Sequence, residues 1–423
     1  MRGKALPHKA AYFANRTINR LPEPRHKAQT GGMTHSIGII GAGIGGLAAA
    51  TLLAQSGHRV TIAERFATPQ PVGSGLVVQP VGMAVLDALG AGTIARALGA
   101  PIRRMRGLAN GRVVLGVDYR ADAPGMAMHR AALFAVLWDA AIAAGVRMET
   151  GAVANAAPLS GRQRCITRID AASLGPFDLV VDASGAGSTL SPLTARALRF
   201  GAIWGHVPWP EFSNLPTDHL SQRYTAANRM AGILPIGRLP DDPTPRAAVF
   251  WSLPARDLAL WPSRDITAWR ADVAAFWPDI APFLTTLRHA DQMTPARYTH
   301  GTLRRPYARS LAFIGDAAHR ASPQLGQGAN MALLDAMALT LALRAGQLAD
   351  ALPHYAHMRR WHLRVYQTMS AVFTPMYQSE SRMLPILRDH FLAPASQVWP
   401  MPGLLSRLVS GDLVPALAST RWP

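Results

Sequence analysis

The stretch "SIGIIGAGIGGLAAATLLAQSGHRVTIAE", residues 36–64, decides the fold. An apolar run leads into a glycine turn, a small-residue helix, a stop at Gly57 and a second apolar run that ends in an acid, which is the order of a βαβ unit. Gly41, Gly43 and Gly46 fill the three positions of a G-x-G-x-x-G turn. The first allows the tight turn, the second lets backbone approach a pyrophosphate, and the third allows a helix to pack closely on a strand. The helix start then offers unpaired N–H groups to the phosphates. Glu64 follows at the distance expected of the acid that binds a ribose hydroxyl pair, with Arg65 beside it as a further cofactor contact. A carboxylate there repels a 2′-phosphate, so this site accepts FAD or NAD and disfavours NADP.

A chain of 423 residues predicts two closely connected domains, and 49% hydrophobic against 16% charged residues excludes a disordered class. The formal charge is +18. Seven basic residues and one acid fall in residues 1–32, which hold all the lysines, so residues 1–34 read as a disordered basic extension, with Met33 as an alternative start. From Met33 onward the 36 arginines and 24 acids leave +12, suited to an anionic substrate, a nucleotide or an acidic membrane surface. The arginines are dispersed and no nucleic-acid recognition motif accompanies them, so no nucleic-acid partner is expected. Lone Cys165 points to a reducing compartment, hence the cytoplasm. No apolar run of about 18 residues occurs, so no transmembrane segment is expected. The C-terminal "LLSRLVSGDLVPAL" (404–417) could rest on a membrane surface or pack on the domain.

Beyond Glu64, a Pro/Gly-rich loop (68–75) precedes a short strand, and Val81 to Leu89 has helical spacing. Alternating runs at Met105–Leu108 and Val113–Val117 read as strands of a small sheet, and 128–146 as a helix entered through Arg130. A continuous apolar strand follows at "FDLVVDASGAGS". Between about 196 and 309 the texture shifts to prolines, tryptophans and short β-like runs. Asp316 follows the strand signal "SLAFIG" at the carboxyl end, where ligands bind in open α/β sheets. Residues 350–417 read as helical with breaks at Pro353, Pro375, Pro385 and Pro394.

Three segments together, "GAGIGG…E" (41–64), "DLVVDASGAGS" (178–188) and "GDAAHRASPQLGQGANMALLDA" (315–336), resemble the FAD-dependent aromatic hydroxylases typified by para-hydroxybenzoate hydroxylase. The resemblance implies an α/β fold: a Rossmann-like FAD domain of the glutathione-reductase type (35–195 and 296–350), an inserted, mostly β substrate domain (196–295) and a helical C-terminal region (351–423). It implies that Asp316 binds ribityl or ribose hydroxyls, that Pro323 lies beside the flavin ring, and that the backbone through Gly326, Gln327, Gly328 and Asn330 faces the ring's carbonyl edge. Arg130 matches an arginine that reaches FAD. As a plain surface cation at a helix start it would oppose the dipole, which itself calls for a nearby anion. Gly75 matches a glycine crossover close to the ring, or is a turn glycine. His319 reads as an ordering residue of its loop. The middle segment departs from the family pattern: Ser184 stands where an aspartate is usual and Ser191 where an arginine is usual, with Asp182 as a partial substitute or a strand-end cap.

The implied reaction is a monooxygenation. NADPH or NADH acts as transient reductant without a second glycine fingerprint, molecular oxygen adds to reduced flavin, and a C4a-hydroperoxide hydroxylates an aromatic or other electron-rich small molecule. The cofactor carries the hard step, so no catalytic side chain is named and no metal is called for. A flavin-dependent reductase of an isoprenoid-like substrate and a non-catalytic flavoprotein are the alternatives. Flavin halogenases use a lysine near the substrate, and the body has none. Gln222, Arg223, Tyr224 and Trp251 are the candidate substrate contacts, and a monomer or homodimer is expected.

Overall fold

The computed structural model describes residues 34–68 and 74–417. The basic extension falls almost wholly outside them.

A six-stranded sheet runs in the order Tyr307–Ala308, Leu311–Phe313, Leu179–Asp182, Ser36–Ile40, Arg59–Glu64, Arg147–Thr150. All neighbours are parallel except the first pair. Its strands are near-continuous apolar runs because both faces are covered. One face carries the helices Ile44–Gln55, Arg130–Ala143 and Gly328–Ala345, whose Leu47, Leu133, Leu137, Leu333 and Leu334 share a core with Ile37, Ile39 and Val181. The other face is covered by a small antiparallel sheet through Ile166 and Phe177.

An eight-stranded sheet forms the second layer, in the order His319–Arg320, Thr294–Thr302, Arg196–Pro208, Arg246–Pro254, Arg229–Pro235, His219–Thr225, Arg104–Ala109, Arg112–Asp118. The last two strands are those expected in a small sheet of their own. They join this one because Arg104–Ala109 pairs in parallel with His219–Thr225, Met105 opposite Leu220. A pairing across so many intervening residues leaves no local pattern to read.

The two faces of this sheet alternate along its central strands Arg229–Pro235 and Arg246–Pro254. Ala231, Ile233, Val249 and Trp251 point outward into a cluster with Trp269, Val273 and Trp277 around the helix Ile266–Phe276. Tyr224, Leu234, Ala248 and Phe250 point inward, against Val77, Ile102 and Ala127 of the three-stranded sheet that borders the nucleotide layer.

The helix Leu348–Tyr377 passes through both Pro353 and Pro375 instead of breaking. The first lies in the second turn and the second in the last, where each removes one ladder bond. A buried stripe of Tyr355, Arg359, His362, Tyr366, Ser370 and Thr374 holds the helix in place. Among the described residues no helix is long and apolar enough to cross a membrane.

Candidate active site

Three sequence segments far apart in the chain meet at the carboxyl edge of the parallel sheet. A Cβ on Gly45 would lie 3.2 Å from Ala332 Cβ, and one on Gly315 would also lie 3.2 Å from it, so the first glycine turn, the Asp316 loop and the Gly328–Ala345 helix touch there. The middle segment joins them through Ser191 Oγ, which donates to the Ala317 carbonyl at 2.5 Å.

The glycines divide by what surrounds them. A Cβ on Gly46 would sit 2.0 Å from the Gly41 carbonyl oxygen, and Gly41 itself has φ 99° with Ala183 O 2.8 Å from the place of its Cβ. Both positions admit only glycine. Gly43, by contrast, faces open space with nothing nearer than Ala183 O at 4.0 Å. It starts the Ile44–Gln55 helix without a side-chain cap, leaving the first-turn N–H groups for a ligand. Glu64 is buried at the strand end; its Oε2 accepts from Ala42 N at 2.7 Å and its Oε1 from Phe66 N at 3.1 Å. Arg65 turns onto the ring of Phe66, 4.6 Å from its centroid.

Asp316 is exposed between buried Gly315 and Ala317. Arg130 lines the same opening: it is reached by solvent yet closely surrounded by protein, as on a cleft wall. That desolvation lowers its pKa and the Asp316 carboxylate pulls it back up. The adjoining Asp182 is a strand-end cap. Its carboxylate accepts from Ser184 N at 3.0 Å, Ser184 Oγ at 2.6 Å and Ser188 Oγ, so it shapes the turn rather than reaching into the cleft.

The wall that begins at Pro323 turns through two glycines and is tied down by Asn330. Gly326 is left-handed at φ 61°, and Gly328 opens the long helix with nothing within 4 Å of a Cβ position. Asn330, fully buried, accepts from Gln79 N at 2.8 Å and donates to Val77 O at 3.2 Å and Gly326 O at 3.0 Å, joining this wall to the strand that begins at Gly75. Gln327 points away, its Nε2 donating to Val409 O at 2.7 Å and so docking the C-terminal helix.

Behind the Asp316 loop lies a buried ionic network that motif reading did not assign. Asp335 accepts from His319 Nε2 at 2.6 Å, Arg359 Nε at 2.8 Å and Gly315 N at 2.9 Å. Burial works to raise its carboxyl, but His319 and Arg359 outweigh this and bring it down to about 2. Arg359 also donates to Ala416 O at 2.8 Å, and His362 Nε2 bonds Gly411 O at 2.8 Å. His319 thus orders the loop. The sequence signal for Asp335 is the one acid in the otherwise apolar Gly328–Ala345 helix.

The four substrate candidates split between the faces of the large sheet. Gln222 and Tyr224 point inward, joined by a 2.9 Å bond from Tyr224 OH to Gln222 Oε1. Arg223 and Trp251 face the other way and do not line the space near Gly75. Arg223 lies over Trp277, and Trp251 packs edge-on against Trp269 and Phe276 in the outer core. Strand alternation separates neighbouring residues but does not say which face is which. Side chains the sequence reading passed over also line the inner face. Trp204 stacks on Phe250 at 4.5 Å and donates from Nε1 to Tyr298 OH at 2.7 Å, and Gln378 donates to Ser252 Oγ at 3.0 Å.

An open α/β sheet with a bare glycine turn, a buried terminal acid and a facing Arg130–Asp316 pair defines a dinucleotide-binding flavoprotein layer under a β roof. Residues 34–157 and 266–361 match the FAD binding domain family, and the chain belongs to it. It is an FAD-dependent oxidoreductase of the monooxygenase type. It is 27% identical over 410 residues to a probable 2-heptyl-3-hydroxy-4(1H)-quinolone synthase of Rhodococcus erythropolis, covering 90% of this chain and 97% of that protein. With an FAD-dependent urate hydroxylase of Klebsiella pneumoniae it shares 27% identity over 339 residues, 76% of this chain and 85% of that one. The solved structure of Klebsiella pneumoniae HpxO with FAD and uric acid superposes with a TM-score of 0.75 at 22% identity, covering 90% and 98% of the two chains.

Proposed function

We propose that the protein hydroxylates an aromatic small molecule, taking electrons from NADPH or NADH and one oxygen atom from dioxygen. The observation that carries this reading is the convergence of the Gly41–Gly46 turn, Arg130 and Asp316 on one cleft that the inner face of the large sheet covers. The named relatives supply the substrate class, since they act on urate and make a hydroxyquinolone.

Bound FAD supplies the redox chemistry and the oxygen activation. The residues present fit it. First-turn N–H groups beyond Gly43 would take the pyrophosphate and Glu64 the adenosine ribose. Asp316 would accept from ribityl hydroxyls, and Arg130 would offer its donors to the phosphates. The start of the Gly328–Ala345 helix, uncapped by any side chain, would offer its positive dipole end to negative charge on a bound flavin. Trp204 and Phe250 give the roof flat apolar surface that excludes water and stacks on an aromatic ring. Gln222, Tyr224 and Gln378 supply the polar points that orient it.

The test is anaerobic addition of NADPH, then NADH, to the FAD-loaded protein, followed by air and a panel of urate, 3-hydroxybenzoate and 2-alkyl-4(1H)-quinolones. Bleaching, reoxidation and a product heavier by one oxygen atom support the reading; a yellow colour that neither nucleotide bleaches overturns it.

A further inference from the structure

Among the described residues, nine of the twenty large apolar side chains left exposed fall within residues 383–404. They include Met383 (71% exposed), Phe391 (64%), Val398 (64%) and Trp399 (88%). The segment consists of short helical pieces, Met383–Leu387, Arg388–Leu392, Ala393–Ala395 and Met401–Ser410, interrupted by prolines. The last three all pack on the edge strand Arg112–Asp118, which sets them side by side along that edge of the sheet. The stretch just beyond it does the opposite: Leu408, Val409 and Leu417 are buried, held by the bonds to Gln327, Arg359 and His362. A monomer rarely leaves so many large apolar side chains uncovered within one short stretch without a partner for them.

The charges around this face identify the partner. Exposed Arg382, His390 and Arg407 lie along the segment, with Arg112 bonded to His390 at 3.3 Å. The nearby acids are each paired with an arginine: Glu380 with Arg256, Asp389 with Arg388 and Asp412 with Arg120. The surface presented outward is therefore apolar and cationic, on a chain of formal charge +18. A second copy docked face to face would set Arg112, Arg382 and Arg407 against their own images, whereas an anionic bilayer surface attracts them and accepts the aromatic and aliphatic side chains at its headgroup boundary.

We infer that residues 383–404 dock the protein on an anionic lipid surface, with Phe391 and Trp399 as the inserted anchors. The full-length FAD-loaded protein is floated with phosphatidylcholine vesicles and with vesicles of phosphatidylcholine and phosphatidylglycerol at about 2:1. Flotation with the anionic vesicles is expected, and a Phe391→Asp, Trp399→Asp double variant should lower the bound fraction about tenfold or more. Both side chains are exposed, so flavin absorbance and melting temperature should stay as in the parent and report that the fold is intact. Arg382→Ser with Arg407→Gln should weaken binding to the anionic vesicles only. Flotation unchanged by the double aspartate variant overturns the inference. So does a failure to bind vesicles together with a dimer that the double variant splits. Because flotation is read without turnover, it is independent of which substrate the site accepts.

Discussion

Arg130 and Asp316 act on one another across the cleft: the carboxylate restores part of the basicity that the surrounding protein takes from the guanidinium. On the proposed reading, removing the acid takes away an acceptor for ribityl hydroxyls and leaves the Arg130 cation unopposed. Asp316→Ala should therefore raise the FAD dissociation constant roughly ten- to hundredfold, the loss of one or two charge-assisted bonds. Fluorescence titration of the apoprotein reads this directly, and unchanged affinity would remove Asp316 from the site.

The glycine turn offers a paired test of room against function. Gly46→Ala drives a methyl to 2.0 Å from the Gly41 carbonyl oxygen, so the apoprotein should lose roughly 1–3 kcal/mol and melt several degrees lower. Gly43→Ala meets nothing nearer than 4.0 Å, so the melting temperature of the apoprotein should hold while FAD affinity falls. If both variants melt alike, the turn is not divided in this way.

Arg359→Met strips the buried Asp335 of its arginine partner. Leaving a buried charge half-paired costs about 3–5 kcal/mol, and the change should also loosen the C-terminal segment held at Ala416. Denaturant unfolding checks the first effect and limited proteolysis the second.

Two buried histidines set the acid side of the stability profile. Burial, helped for His129 by His206 and Arg246 and for His362 by Arg359, brings each pKa down to about 3. The unfolded chain takes up a proton on each below about pH 6.5, and the folded chain does so only below about 3. The unfolded state therefore binds more protons in this window, and stability falls as pH drops through it, by roughly 1 kcal/mol per pH unit for each histidine. Thermal melts at pH 7.5 and 5 measure the drop, and His362→Gln should flatten it.

What the sequence made legible was local. The strand, turn, helix and acid of residues 36–64 and the Gly315–Ala336 segment are continuous patterns, and the fold keeps both at the carboxyl edge of the sheet. Other features depend on where distant strands land. Met105 lies opposite Leu220 only because the large sheet extends that far, and Trp251 faces the outer core because a helix covers that side. Asp335 and Arg359 look like a stray acid in one helix and a surface arginine in the next until the two helices pack together.

Gly75 has a consequence that reaches beyond its own turn. A Cβ there would lie 2.4 Å from Ile236 Cγ2 and 3.2 Å from Ala248 Cβ, both on the inward face of the large sheet. The nucleotide layer and its roof are thus in contact at a residue with no side chain, and the height of the chamber between them is gauged at that point. Any bulkier residue at 75 would act as a shim, prising the roof away from the layer beneath it.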